Sequence, residues 1–112
     1  MEVRAVAKNV SISPRKVNLV MEIIRGKKAE EALTMLKFTP TPTAKAVAKV
    51  VKSAMANAEH NYQLSPSELR ITGAFADKGQ TLKRFRPRSR GQASPLLKRH
   101  THIKIIVSGE EA

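Results

Sequence analysis

Lys83 to Arg99 reads KRFRPRSRGQASPLLKR, and the way this stretch is taken decides the fold. It holds seven Lys or Arg, no acid, two Pro, one Gly and only three large apolar residues, Phe85, Leu96 and Leu97. From Asp77 to Pro95 neither helical nor core periodicity is visible. A structureless loop of that length is uncommon inside a compact domain. The better assignment carries the flanking strands outward as a long β-hairpin. At ~3.3 Å per residue, about nine residues out and nine back make an arm of roughly 30 Å. Arg84, Arg86, Arg88 and Arg90 recur at period two, so an extended strand sets them on one side about 6.6 Å apart. Such a rail of guanidiniums can grip phosphates through paired hydrogen bonds. Arg86-Pro87-Arg88-Ser89-Arg90-Gly91 is expected at the tip, where Pro and Gly replace ladder residues. A lone two-stranded hairpin is marginal in water, and this one repels itself. It is expected to be mobile alone and to order against an anionic surface.

The flanks read as strands. ELRITGAFA alternates Leu69, Ile71, Gly73 and Phe75 against Arg70, Thr72 and Ala74, and HIKIIVS alternates Ile103, Ile105 and Val107 against Lys104 and Ile106. EVRAVAKNV sets Val3, Ala5 and Ala7 against Arg4, Val6 and Lys8 in the same way. Between them lie three helical patterns. Ser13-Pro14 reads as an N-cap with proline at the first helical position, and Val17, Val20, Met21 and Ile24 follow at the spacing of a buried stripe. Gly26 ends that helix in the left-handed conformation. KAEEALTMLKF turns Ala29, Ala32, Leu33 and Leu36 inward, and TPTPT breaks it. Thr41-Pro42 caps a third helix running to about Asn61, with Ala44, Val47, Ala48, Val51, Met55 and Ala58 as its apolar stripe. Lys45, Lys49 and Lys52 fall on another side, ordinarily a solvated face. The expected fold is α+β: three helices packed on a small three-stranded antiparallel sheet, with a long protruding β-hairpin. It is a single domain, with a body of residues 1–76 and 96–112 and an arm of 77–95.

The chain has 112 residues and a formal net charge of +12, with a sequence pI near 10.6. Charge of that size opposes compaction and fits a polyanionic partner, nucleic acid before an anionic membrane. From Lys78 to Gly109 there are nine basic residues and no acid, which a merely solvated loop has no reason to maintain. A second basic group surrounds the first helix: Arg4, Lys8, Arg15, Lys16, Arg25, Lys27 and Lys28. Arg15 and Lys16 lie in its first turn, where cations oppose the helix dipole and a docked phosphate would offset the cost. With no cysteine there is no disulfide or thiolate metal site. No apolar run approaches the ~18 residues of a membrane span. The first residues lack a secretory h-region, so a cytoplasmic protein is expected.

Little in the sequence points to catalysis. His100 and His102 share one side of a strand but have no Cys and no placed carboxylate beside them, so no metal and no cofactor is expected. Stacking on a base or bonding a phosphate suits them better. Asn57, Glu59, His60 and Asn61 in NAEHN stand at a helix end, where Asn and His commonly satisfy terminal carbonyls. Asp77 is the only acid near the arm, too few for a metal-dependent nuclease. Two other classes remain at this point. One is an architectural DNA binder with Pro87 as a wedge; the other is a small enzyme with a basic cleft.

SPRKVNLVMEIIRGKKAEEAL (Ser13 to Leu33), SAMANAEHN (Ser53 to Asn61) and LKRFRPRSRGQASPLLKRHTHIKIIVS (Leu82 to Ser108) follow one another in an order that resembles one family. It is the large-subunit ribosomal protein family numbered twenty-two in the bacterial series, and the resemblance spans nearly the whole chain. It implies an α+β body on large-subunit ribosomal RNA near the outlet of the nascent-peptide tunnel. It also implies a hairpin that touches several RNA domains and forms part of the tunnel wall near its constriction. Arg15, Lys16, Arg25, Lys27, Lys28, Lys83, Arg84, Arg86, Arg88, Arg90, Lys98, Arg99 and His100 would then contact RNA. Arg88, Ser89, Arg90, Gly91, Gln92 and Ala93 would form the tunnel-lining tip. Implied partners are ribosomal RNA, neighbouring large-subunit proteins and the nascent polypeptide, with no membrane and no stable homo-oligomer. Ser89 and Gln92 stand where relatives often carry Ala and Arg.

Overall fold

In the strand β5 (Thr101–Ser108), Thr101, Ile103, Ile105 and Val107 are fully buried, and the residues between them are half-buried. That alternation puts one face of the strand in the core. The computed structural model describes residues 2–39, 41–79, 82–87 and 93–109, with the backbone alone in 82–87 and 93–98. The expected tip residues 88–92 lie outside the described residues.

β5 is the middle strand of a three-stranded antiparallel sheet. It lies between β1 (Glu2–Val10) and β2 (Arg70–Lys78). Val3 and Ala5 of β1 and Ile71 of β2 extend its buried row to both sides. Along β2 the expected alternation fails after Gly73. Ile71 pairs with Val107, but Gly73 pairs with Ile106, so one extra residue enters β2. A bulge of this kind turns the following side chains over. Ala74 is therefore buried, while Phe75 faces outward and is 46% exposed. Gly73 is buried as the alternation expected, and the reading is corrected at Phe75, which faces outward, and at Ala74, which faces inward. A Cβ on Gly73 would lie 2.8 Å from the Phe75 ring and 3.2 Å from Ile106 Cδ1, so the glycine makes the seat on which that ring lies.

Three helices cover the buried face. α1 (Pro14–Ile24) buries Val17, Val20, Met21 and Ile24 as expected. Ser13 takes the extended N-cap conformation, although its hydroxyl makes no capping hydrogen bond. α2 (Ala29–Lys37) buries Ala29, Ala32 and Leu36 and leaves Leu33 half-buried. α3 (Pro42–Tyr62) begins at Thr41, whose Oγ1 accepts from the Ala44 N–H at 3.2 Å. Its buried set is Thr43, Ala44, Val47, Val50, Val51, Ala54 and Ala58, with Ala48 and Met55 only half-buried. The stripe is broader than expected and rotated, because α3 packs against β1, β5, α1 and α2 together. Three alanines in that stripe let the backbones approach closely.

Residues RGKK, read as a basic motif after α1, have a structural task as well. Gly26 N–H donates to the Ile71 carbonyl at 3.0 Å, Ile71 N–H to the Lys27 carbonyl at 2.9 Å, and Ala29 N–H to the Leu69 carbonyl at 2.9 Å. The segment thus lies along the outer edge of β2 and covers hydrogen-bonding groups that would otherwise face solvent. Gly26 makes the turn at φ +77°, as expected.

Beyond the sheet, β3 (Leu82–Pro87) and β4 (Ala93–Lys98) form a separate two-stranded antiparallel pair, from Leu82 opposite Lys98 to Pro87 opposite Ala93. Arg86 and Pro87 still belong to this ladder rather than to a turn. The molecule measures 66 × 25 × 18 Å. Its radius of gyration, 17.1 Å, exceeds the roughly 13 Å of a compact chain this size, so it is elongated.

Thr101 marks where the returning chain enters the core. It is fully buried, and its hydroxyl donates to the Ile12 carbonyl in the β1–α1 connection. Thr101→Val keeps the shape but strands that carbonyl. Urea unfolding is expected to show a loss of about 1–3 kcal/mol with an unchanged m-value.

Candidate nucleic-acid interface

The cations expected to bind RNA separate into groups once the chain is folded. Arg15, exposed in the first turn of α1, comes together with Lys78 at the end of β2 and Arg99 just before β5. With Ser13 and Pro14 they line a hollow of about 310 Å³ at the root of the hairpin. Three positive side chains from three separate segments converge there, beside a helix N-terminus whose N–H groups carry partial positive charge. Lys16 is exposed on the same turn. His100, half-buried, follows Arg99, and its carbonyl accepts from the Gly79 N–H at 2.9 Å, closing the backbone at the root.

Arg25, Lys27 and Lys28 lie at the other end of α1, about 16 Å away by helix rise. Arg25 Nε–H donates to the Ala74 carbonyl at 3.0 Å, so part of its guanidinium is held by the β2 backbone. Arg70 reinforces this corner by donating from Nη1 to the Gly26 carbonyl at 3.2 Å. Lys27 is half-buried and Lys28 exposed. This group is both a sheet edge and a basic surface.

Along the arm, Lys83, Arg84 and Arg86 occupy β3 and Lys98 ends β4. Arg84 and Arg86 are two residues apart on one strand, opposite Leu96 and Ser94, which places both on one face. Positions 83, 85 and 87 share the other face with 93, 95 and 97, where Lys83 is the one charged residue. Arg88, Ser89, Arg90, Gly91 and Gln92 lie outside the described residues, and Ala93 opens β4 opposite Pro87.

The open face of the sheet adds residues that sequence reading did not assign. Lys104 pairs across the ladders with Val6 and Phe75, and its Nζ sits 5.8 Å from the Phe75 ring centroid. Arg4 and Lys8 are exposed beside it on β1. Phe75 was hidden by the bulge, which no local pattern announced. Lys78 was legible in principle: it ends β2, pairs with Thr101 and so stands next to Arg99.

His102 has a local role, since its Nδ1 accepts from the Asn9 N–H at 3.1 Å where β1 bulges and Asn9 takes φ 54°. Among the described residues no group of three or more His, Asp or Glu side chains gathers as metal ligands would. No described helix is long and apolar enough to cross a membrane.

An elongated, strongly basic α+β body with a paired-strand arm carries charge that suits a polyanionic partner. The sequence profile of the family described as Ribosomal protein L22p/L17e matches residues 5–108. The chain belongs to this family of ribosomal proteins. It is 51% identical over 108 residues to the large ribosomal subunit protein uL22 of Dehalococcoides mccartyi, covering 96% of this chain and 99% of that one. The protein of the same name from Staphylococcus aureus is 52% identical over 108 residues, 96% of this chain and 92% of that one. That from Lactobacillus delbrueckii subsp. bulgaricus is 52% identical over 105 residues, with 94% and 90% covered.

The backbone and the charge of RGKK are separable. Gly26→Ala forces a Cβ into a left-handed backbone, and urea unfolding is expected to show a loss of about 1 kcal/mol. Its affinity for an RNA oligonucleotide should keep the same salt dependence. Lys28→Ala should do the reverse, with stability within about 0.5 kcal/mol of the parent.

Proposed function

We propose that this chain is a structural constituent of the large ribosomal subunit that holds ribosomal RNA by its body and inserts its hairpin arm between RNA segments. The body sits near the outlet of the polypeptide tunnel. The arm lines the tunnel wall towards the constriction, with Arg88, Ser89, Arg90, Gly91, Gln92 and Ala93 at the tip. Partners are several ribosomal RNA domains, neighbouring large-subunit proteins and the nascent polypeptide. The role is architectural rather than enzymatic, and the protein is ribosome-bound.

The observation that carries this reading is the hollow at the arm root, where Arg15, Lys78 and Arg99 converge beside the N-terminus of α1. Three cations in one concavity repel one another, and a phosphate relieves the repulsion while fixing the direction in which the arm leaves the body. Arg84, Arg86 and Lys98 continue positive charge from that root along one face of the arm. Sequence membership supplies the assembly; the charge and its placement supply the mode of binding.

Sedimentation of a lysate through a sucrose gradient tests the assembly. Nearly all the protein should travel with large subunits, and recovery with nucleoid instead would contradict the proposal. For the binding mode, Arg15→Ala with Arg99→Ala should flatten the slope of log affinity against log salt by about 1.4–1.8, since each phosphate contact contributes ~0.7–0.9. An unchanged slope would remove those side chains from the RNA contact. A photo-crosslinking residue at position 90 should capture both ribosomal RNA and a peptide stalled in the tunnel. Capture of RNA without the peptide would leave the arm in RNA but take its tip out of the wall.

A further inference from the structure

The NAEHN stretch is not used as its helix-end position suggested. The terminal carbonyl of Ala58 is taken by the backbone, with Gln63 N–H and Leu64 N–H both directed to it and Gln63 left-handed at φ 53°. Asn57 and Asn61 stand four residues apart on α3, which sets them on one face. Among the described residues neither carboxamide is held by another side chain. Both line a hollow of about 510 Å³ that straddles β1 at the edge of the sheet. Glu2, Arg4, Tyr62 and Lys104 line it too, and the Tyr62 ring is 47% exposed.

We infer that this hollow takes a single unstacked RNA nucleotide, with adenine as the preferred base; the inference rests on the RNA-binding reading above and names a site within it. The base and the phosphate of a nucleotide each find a matching group. A flat aromatic surface is available for stacking, the usual way proteins hold a base removed from its helix. A carboxamide offers a donor and an acceptor side by side, the pairing that adenine's N6 and N7 complement. The Glu2 carboxylate is a further acceptor for an exocyclic amino group. Arg4 and Lys104 supply the positive charge that a phosphate needs. Lys104 lines the hollow from β5, with its Nζ 5.8 Å from the Phe75 ring centroid. The volume suits one nucleotide. Aliphatic anchors for a protein side chain are few there, Val3 and Ile106, against six polar or aromatic residues.

The test uses the full chain labelled with nitrogen-15 and follows the side-chain amide signals of Asn57 and Asn61 by NMR. Oligoadenylate should move both signals. Oligouridylate of equal length should move arm backbone amides and leave the carboxamides in place. Asn57→Ala with Asn61→Ala should weaken oligoadenylate binding about tenfold and oligouridylate binding less than twofold. Tyr62→Leu should weaken the oligoadenylate by about fivefold or more, in line with the stacking contribution of one base. Thermal melts check that each variant folds, and the exposed Asn61→Asp change offers a milder second variant with the same expected direction. Carboxamides that stay still with every oligonucleotide, or respond alike to both, overturn the inference. So does an adenine preference that survives the double alanine change. Adenosine monophosphate binding as tightly as the oligomer would also overturn it, by making the site one for free nucleotides. Sucrose-gradient sedimentation of the double variant separates the two readings. Continued travel with large subunits leaves the ribosomal role standing even if the hollow proves empty of RNA.

Discussion

The antiparallel pairing of β2 with β5 serves two regions with opposite needs. On one side of that ladder, Ile103, Ile105 and Val107 are fully buried and join Ile71 and Ala74 in the core beneath the helices. At its far end, Lys78 opposite Thr101, the same two strands leave the core and lead into the arm. An isolated two-stranded pair is marginal in water. The arm therefore depends on a base set by strands that are held for another reason. Buried Thr101 bonded to Ile12, and the Gly79–His100 backbone contact, fix that base from both sides.

Charge makes the same point in energetic terms. With 21 Lys or Arg against 9 Asp or Glu, the molecule cannot neutralise itself. The structure distributes the excess to the arm, to the two ends of α1 and to the open face of the sheet, leaving the helix-covered face to the core. A modest core of aliphatic and alanine side chains suffices if a partner binds only the folded form, because such binding adds stability by mass action. In the proposed assembly, RNA supplies both the counter-charge and the surroundings that the arm lacks.

Much of this was legible in the sequence, and the reasons are local. α1 announced itself by Pro14, four buried residues at helical spacing and Gly26. The alternation of β5 and the acid-free stretch from Lys78 to Gly109 identified a core strand leading into a charged arm. What escaped reading was set by tertiary contacts. The bulge at Gly73 reversed Phe75, and nothing within β2 marks it except the glycine itself. The buried face of α3 widened because four elements pack on it. RGKK read as a helix stop at Gly26 followed by charge, yet its backbone also closes the sheet edge, a role that hydrogen bonds across forty or more residues create. Lys78 and Arg15 are distant in sequence and meet only when β2 runs its full length beside α1.

Amide hydrogen exchange on the free chain and on assembled large subunits tests the central claim most directly. In the free chain, amides of Ile103 and Ile105 should exchange only through global unfolding, whereas those in 82–87 and 93–98 should exchange about a hundredfold faster or more. Within the subunit the arm amides should slow to match the core. Equal protection of arm and β5 in the free chain would contradict the account, since the arm would then hold its structure without any partner.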